Sequence, residues 1–299
     1  LDTGSYIFNA LCSTSIFGGV SDNKITAIAG AEATGKTFFA LSICNNFMKQ
    51  NPKGGIVYFD TEGAITKELL EKRGMDPTGK QFLTIDCLTV EDFRNVAYKI
   101  LDKYNSQKEE DRQPMLMVLD SLGNLSTEKE TKDIADGKSV RDMSKAQLVK
   151  GAFRVLTQKL SIAKVPLIVL NHTYDVIGSY MPTKEMGGGS GLKYAATTII
   201  YLSKSQEKEG TERVGNIIKA KVAKSRISKE NEQVATRLYY DQRGLDKYYG
   251  VLELAEKGGI LKKVSTRYEV DGKKIYASEI YKNPEKYFTQ EVLEKIAQG

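Results

Sequence analysis

Residues 30–37, Gly30-Ala31-Glu32-Ala33-Thr34-Gly35-Lys36-Thr37, fit the pattern G-x-x-x-x-G-K-[ST], which works only where a strand turns into a helix. The flanks supply that junction. Residues 24–29 (KITAIA) read as a strand and residues 37–48 as a helix. Glycines let the backbone curl so that successive N–H groups point inward, and the helix N-terminus adds partial positive charge. Lys36 can neutralise outer phosphates, and the Thr37 hydroxyl can help hold Mg2+. A glycine turn that merely caps a helix would not require residue type, spacing and context to agree. The expectation is a nucleoside triphosphate, ATP or GTP, held with Mg2+ by residues 30–37.

The chain continues the alternation that this junction begins. Residues 56–60 (IVYFD), 82–86, 115–119 (MLMVL) and 167–170 read as strands, with helices at 66–73, 89–104 and about 140–163. The first of these helices stops at Gly74, the second opens on Thr89 with Asp92 three residues on, and the third ends before Pro166. Short, wholly apolar runs suit strands buried on both faces of a parallel sheet. After Gly191 the segments 197–202, 213–223 and 234–240 are strand-like with no long helix between them, so antiparallel hairpins should extend the sheet. From about residue 246 a small module follows, with a helix near 251–256, a hairpin turned at Asp271-Gly272 and a terminal helix begun by Thr289. The expected class is α/β: a mostly parallel central sheet flanked by helices over 1–245, and a small α+β module over 246–299.

Two acids fall at the strand ends where such sheets bind ligands. Asp120 closes the 115–119 run, where a carboxylate can meet the water shell of a metal. Glu62, two residues past Asp60, sits where a general base could orient water on a γ-phosphate. For Asp120 the metal reading outweighs a cap or salt bridge; for Glu62 the residues alone leave both open.

Composition adds only bounds. A formal charge of +6 permits a polyanionic partner without demanding one. The apolar runs are too short to span a bilayer, and no signal peptide is visible. Three cysteines (Cys12, Cys44, Cys87) without metal-ligand spacing fit a reducing cytoplasm.

The segments GAEATGKT, YFDTEGA (58–64), VLDSLGNL (118–125), LNHTYDVIG (170–178), MGGGSGLKYAA (186–196) and KAKVAKSRIS (219–228) occur in the order and spacing of the RecA recombinases. VLDSLGNL, NHTY, MGGGSG and AKSR look especially like the UvsX-like recombinases of large tailed phages. The resemblance covers roughly residues 3–260, and the residues beyond match only loosely.

That resemblance implies a RecA-like P-loop ATPase core, using ATP and Mg2+, in a protein that forms filaments on single-stranded DNA. It implies homologous pairing and strand exchange with duplex DNA, in recombination, repair and recombination-dependent replication. Glu62 falls on the family's catalytic glutamate, with Lys36 and Asp120 beside it and Thr37 and Asp120 at the metal. His172 follows Asn171 where bacterial RecA has a glutamine that senses the γ-phosphate, and UvsX-like proteins similarly place histidine there. Lys224 and Arg226 match basic positions that reach the ATP of the adjacent subunit, which links hydrolysis to assembly. Bacterial RecA has lysine at the second of these. A single-stranded DNA-binding protein and a loading mediator are implied partners; a membrane is not. The implied location is the cytoplasm, that of the host if the chain is phage-encoded. Family members polymerise through a helix and strand ahead of the core, whereas this sequence starts almost at the core, near Asp2-Thr3-Gly4-Ser5.

Two polar stretches, 126–138 (STEKETKDIADGK) and 173–191, read as long functional loops, and the matching loops of RecA contact single-stranded DNA. In the second, Gly187, Gly188, Gly189, Ser190 and Gly191 would let backbone N–H groups approach phosphates. Tyr180 or Met181 could wedge between bases in the manner of the family, or could pin the loop to the core. Lys145, Lys150 and Arg154 on the intervening helix are candidate phosphate contacts, with Arg154 the best family match; a solvated helix face is the alternative. A ring helicase of the same fold and a non-catalytic nucleotide-binding paralogue are the competing readings. The paired loops and AKSR oppose the first, and intact Lys36, Thr37, Glu62 and Asp120 oppose the second.

Overall fold

Apolar alternation within the short runs gives the sheet two dry faces. Tyr58, Val118, Ile168 and Leu170 point to one core with Phe39, Leu41 and Ile43. Phe59, Leu119 and Val169, one residue out of phase, point to the other with Phe93 and Phe153. A computed structural model of the chain describes residues 1–138, 143–175, 184–187, 190–209, 212–270 and 272–298.

The core elements are, in order, α1 (Tyr6–Ser13), β1 (Ile25–Gly30), α2 (Lys36–Gln50), β2 (Gly55–Asp60), α3 (Lys67–Lys72), β3 (Phe82–Asp86), α4 (Val90–Asn105), β4 (Met115–Asp120), α5 (Glu128–Ala135), α6 (Lys145–Ala163), β5 (Leu167–Asp175), β6 (Lys184–Met186), α7 (Ser190–Ala195), β7 (Thr198–Glu209), β8 (Glu212–Ser225) and β9 (Gln233–Tyr239). The sheet order is β3-β2-β4-β5-β1-β7-β8-β9, with β6 paired to β5. From β3 to β7 every pairing along that order is parallel. β8 and β9 extend it antiparallel, as expected. Parallel registration brings Gly30 beside His172 and Asp60 beside Asp120, all at one carboxyl edge.

The structure corrects several boundaries. The 126–138 stretch is not wholly loop: Thr127 caps α5 by accepting from the Glu130 N–H at 3.0 Å. The stretch from 173 begins as sheet, because β5 runs on to Asp175 and β6 returns antiparallel to it, Thr173 opposite Met186. The helix expected from 140 starts at Lys145; Val140 itself lies outside the described residues.

The C-terminal residues form α8 (Val251–Lys257), a three-stranded antiparallel sheet of β10 (Lys262–Val264), β11 (Arg267–Val270) and β12 (Lys273–Tyr276), then α9 (Ala277–Lys282), α10 (Pro284–Tyr287) and α11 (Gln290–Gln298). Their core of Val251, Leu252, Tyr268, Ile280, Phe288 and Leu293 includes Ile16, and Tyr6 and Ala10 of α1 pack against it. The opposite side of α1, Phe8, Leu11 and Cys12, belongs to the core under α2. Among the described residues no helix is long and apolar enough to cross a membrane.

Candidate active site

β1 ends at Gly30, where a Cβ would lie 2.8 Å from Thr34 Oγ1 and 2.9 Å from the Leu202 carbonyl. Only glycine fits there. Ala33 (φ 56°) and Gly35 (φ 89°) are left-handed, curling the backbone into the N-terminus of α2. Thr34 Oγ1 donates to the Ala31 carbonyl at 2.8 Å and tightens the turn. Lys204 of β7, which the sequence reading passed over, donates to the Ala33 carbonyl.

The turn borders a cavity of about 420 Å3, lined by Glu32, Ala33, Gly35, Lys36, Thr37, Phe38, Glu62, Ala64, Leu69, Asp120 and His172. Phe38, Ala64 and Leu69 give the lining apolar surface suited to a planar base, and Glu32, Lys36, Glu62, Asp120 and His172 give it charged and polar groups.

Lys36, only 6% exposed, directs its ammonium at the carbonyls of Gly30 (3.1 Å) and Ala31 (3.0 Å). Burial lowers its pKa, and the carboxylates of Asp120, Glu62 and Glu32 act against that shift. Thr37 Oγ1 and Tyr58 OH each donate to Asp120 Oδ2 at 2.7 Å. Asp120 is 3% exposed, and burial raises its pKa; the hydrogen bonds from the two hydroxyls act against that rise, and repulsion from Glu62 and Asp60 adds to it. Burial and the Asp120 charge push the Tyr58 phenol well above its ordinary value.

This donor set suits Mg2+. A hydroxyl and a carboxylate oxygen, both hard ligands, stand together, and the hydrogen-bond partners of the buried carboxylate are neutral. Among the described residues no cluster of three or more His, Cys, Asp or Glu could enclose a metal. Thr37 and Asp120 would therefore hold the ion alongside water and phosphate oxygens, the usual environment of Mg2+.

Glu62 lies past the end of β2, where Asp60 accepts from the Glu62 N–H (3.0 Å) and the Ile65 N–H (2.9 Å). The capping task thus falls to Asp60, leaving the Glu62 carboxylate for the cavity. Glu62 Oε1 accepts from Asn124 Nδ2 at 2.7 Å and Ser121 Oγ at 3.2 Å, and stands 3.3 Å from His172 Nε2. His172 Nδ1 is 3.4 Å from Lys36 Nζ. A neutral imidazole with its proton on Nε2 satisfies both contacts, accepting from the ammonium and donating to the carboxylate. Asn171, fully buried, receives the His172 N–H at 2.9 Å and donates to the Gly187 carbonyl at 2.8 Å.

The remaining candidates lie further out. Lys150 and Arg154 are exposed on α6, and Gly191 at the start of α7 is packed on the Lys150 backbone. Lys145 donates to the Gly123 carbonyl at 3.4 Å. Ser190 is exposed at the first position of α7. Lys224 is turned to the far end of α7, donating to the carbonyls of Lys193 (2.7 Å) and Ala196 (2.8 Å), and Arg226 is exposed beside it. Neither cation lines the cavity of its own chain. Tyr180, Met181, Gly188 and Gly189 lie outside the described residues. Tyr58, Ser121, Asn124 and Lys204 are the additions. Ser121 and Asn124 lie within VLDSLGNL, but nothing in that segment alone says which side chains they meet.

Residues 1–246 match the RecA N-terminal domain family. The recombination and repair protein of Enterobacteria phage T4 is 32% identical over 257 residues, covering 86% of this chain and 63% of that protein. The RecA protein of Arthrobacter sp. (strain FB24) is 30% identical over 261 residues, covering 85% of this chain and 69% of that protein. The RecA protein of Streptomyces coelicolor is 26% identical over 259 residues, covering 85% and 65%. The chain thus spans less than two thirds of the length of the T4 protein. With a family match over residues 1–246 and these relatives, the chain belongs to the RecA family.

Proposed function

We propose that this chain is the ATPase part of a DNA recombinase that assembles as a filament on single-stranded DNA and exchanges its strand with a homologous duplex. One observation carries the reading: consecutive residues of β5 touch both halves of the machinery. His172 stands between Lys36 and Glu62, while Asn171 holds the peptide of Gly187, at the head of the glycine-rich segment. A change at the γ-phosphate would have a short mechanical route to that segment, and DNA bound there a route back.

The chemistry follows from the side chains. ATP is the substrate, its phosphates cradled by residues 30–37 with Lys36 leaving the loop carbonyls for the outer phosphates. Thr37 and Asp120 hold Mg2+, which when bound neutralises charge on the β- and γ-phosphates. Glu62 orients a water and takes its proton as the water oxygen bonds to the γ-phosphorus. The bond from that phosphorus to the bridging oxygen breaks, and ADP carries away the electron pair. His172 senses the γ-phosphate. Lys224 and Arg226 serve the ATP of a neighbouring subunit, stabilising charge only when subunits stack. Lys150, Arg154, Gly187, Ser190 and Gly191, with Tyr180, Met181, Gly188 and Gly189, belong to the DNA surface. Residues 246–299 form a separate small module on this core. The protein would work in the cytoplasm, of a host cell if phage-encoded, with a single-stranded DNA-binding protein and a loading mediator.

The test is ATP turnover with and without single-stranded oligonucleotide, together with oligonucleotide affinity in ATP, in ADP and without nucleotide. Stimulation by DNA and tighter binding in ATP are expected; affinity indifferent to nucleotide rules the reading out. Glu62→Gln should lower turnover about 100-fold or more while ATP still binds.

A further inference from the structure

Glu62 is held in place by polar neighbours on one side of its carboxylate. Its Oε1 has three polar groups around it: the Asn124 amide at 2.7 Å, the Ser121 hydroxyl at 3.2 Å and His172 Nε2 at 3.3 Å. Three polar groups on one of its two oxygens hold the carboxylate in a fixed orientation. The shortest of the three bonds comes from the residue with the least structural reason to make it. Asn124 is exposed, whereas its neighbours Leu122 and Leu125 are 1% and 0% exposed and anchor the turn without it.

The position of that turn gives the contact a meaning. Residues 122–124 form a single 3-10 turn that leads from the end of β4 into the 126–138 stretch. At the far side of the excursion, Lys145 at the start of α6 reaches back to the Gly123 carbonyl at 3.4 Å. A ligand on the excursion can therefore act on the turn from both ends. Rotation of the Asn124 side chain, with Leu122 and Leu125 fixed, removes the shortest of the three contacts that orient Glu62.

We propose that Asn124 is a positioning residue that holds Glu62 back from its water until nucleic acid engages the 126–138 stretch. This rests on the function proposed above, in which Glu62 is the base and that stretch meets DNA.

The experiment is steady-state ATP turnover of Asn124→Ala and Asn124→Asp, with and without a single-stranded oligonucleotide, alongside thermal melting. Loss of a hydrogen bond to a charged but partly exposed group should raise the DNA-free kcat about three- to tenfold. KM for ATP and the DNA-saturated kcat should stay as they were, so that stimulation by DNA shrinks. Asn124→Asp, similar in size but unable to donate when ionised, should do the same. A purely structural role would lower the melting temperature or raise KM without speeding turnover. DNA-free kcat unchanged or lowered in both variants, with melting unaltered, overturns the assignment. If the unsubstituted chain ignores oligonucleotide, the recombinase reading fails separately. The restraint by Asn124 is then decided by the DNA-free rate alone and stands only if Asn124→Ala raises it.

Discussion

Asp120 is an ionisable group folded into a place that disfavours its charge. It is nearly inaccessible, receives only neutral hydroxyls and faces Glu62 and Asp60. Such a group is retained for what it holds rather than for stability. Asp120→Asn should therefore make the chain more stable by about 1 kcal/mol in urea melts without nucleotide or Mg2+. The same change should reduce Mg2+-dependent ATP turnover by about 100-fold or more. Lys36, Thr37 and Asp120 were legible in the sequence because each has a fixed chemical place on a strand end or its turn; for Glu62 the residues left two readings, and only the resemblance favoured one. Asn124 was not legible, although VLDSLGNL contains it, because nothing in an isolated asparagine says which carboxylate it will meet. Contacts between side chains on different strands depend on sheet order, and strand order is set by helix crossovers that local pattern does not encode.

The elements divide by how much apolar surface they bury. β3 begins and ends where its pattern predicts, and α4 starts one residue after its Thr89 cap, which accepts from the Asp92 N–H at 3.0 Å. α5 has no buried residue, so it offered no hydrophobic period; only Thr127, with an acid three residues on at Glu130, marked its start. α1 was missed for the opposite reason, since it is apolar on two sides and its sequence YIFNALCS has no polar stripe. Gly191 shows how an element can revise a residue. In sequence it is one of a run of loop glycines, yet a Cβ there would lie 2.8 Å from Lys150 N and 2.9 Å from Lys150 Cα. The first turn of α7 rests on the backbone of α6. Gly191→Ala should push α7 outward and destabilise the chain by about 1–3 kcal/mol, read as a lower urea midpoint. Gly187, with φ outside the left-handed region, is limited instead by the Tyr174 ring, 2.8 Å from where its Cβ would be.

At the scale of the molecule, two cores sandwich the sheet and a third closes the C-terminal end. The three cysteines are distributed through these interiors, Cys12 and Cys44 in one core and Cys87 in the other. Burial pushes the Cys12 and Cys87 thiols up to about 12 and Cys44 still higher. The reactive species is the thiolate. At pH 8 the native chain should leave all three thiols unlabelled by a disulfide reagent, and full labelling should appear only on denaturation; reaction of the folded chain would show that an interior opens. The helix α1 gives the core under α2 and the C-terminal core a common wall, Phe8, Leu11 and Cys12 on one side and Tyr6 and Ala10 on the other. Peeling the terminal residues away would strip one flank of that helix and leave eight residues clinging by the other, too short a helix to persist unsupported. Loss of the small module would accordingly propagate into the nucleotide-binding half, making its integrity a condition of the larger unit's cooperativity.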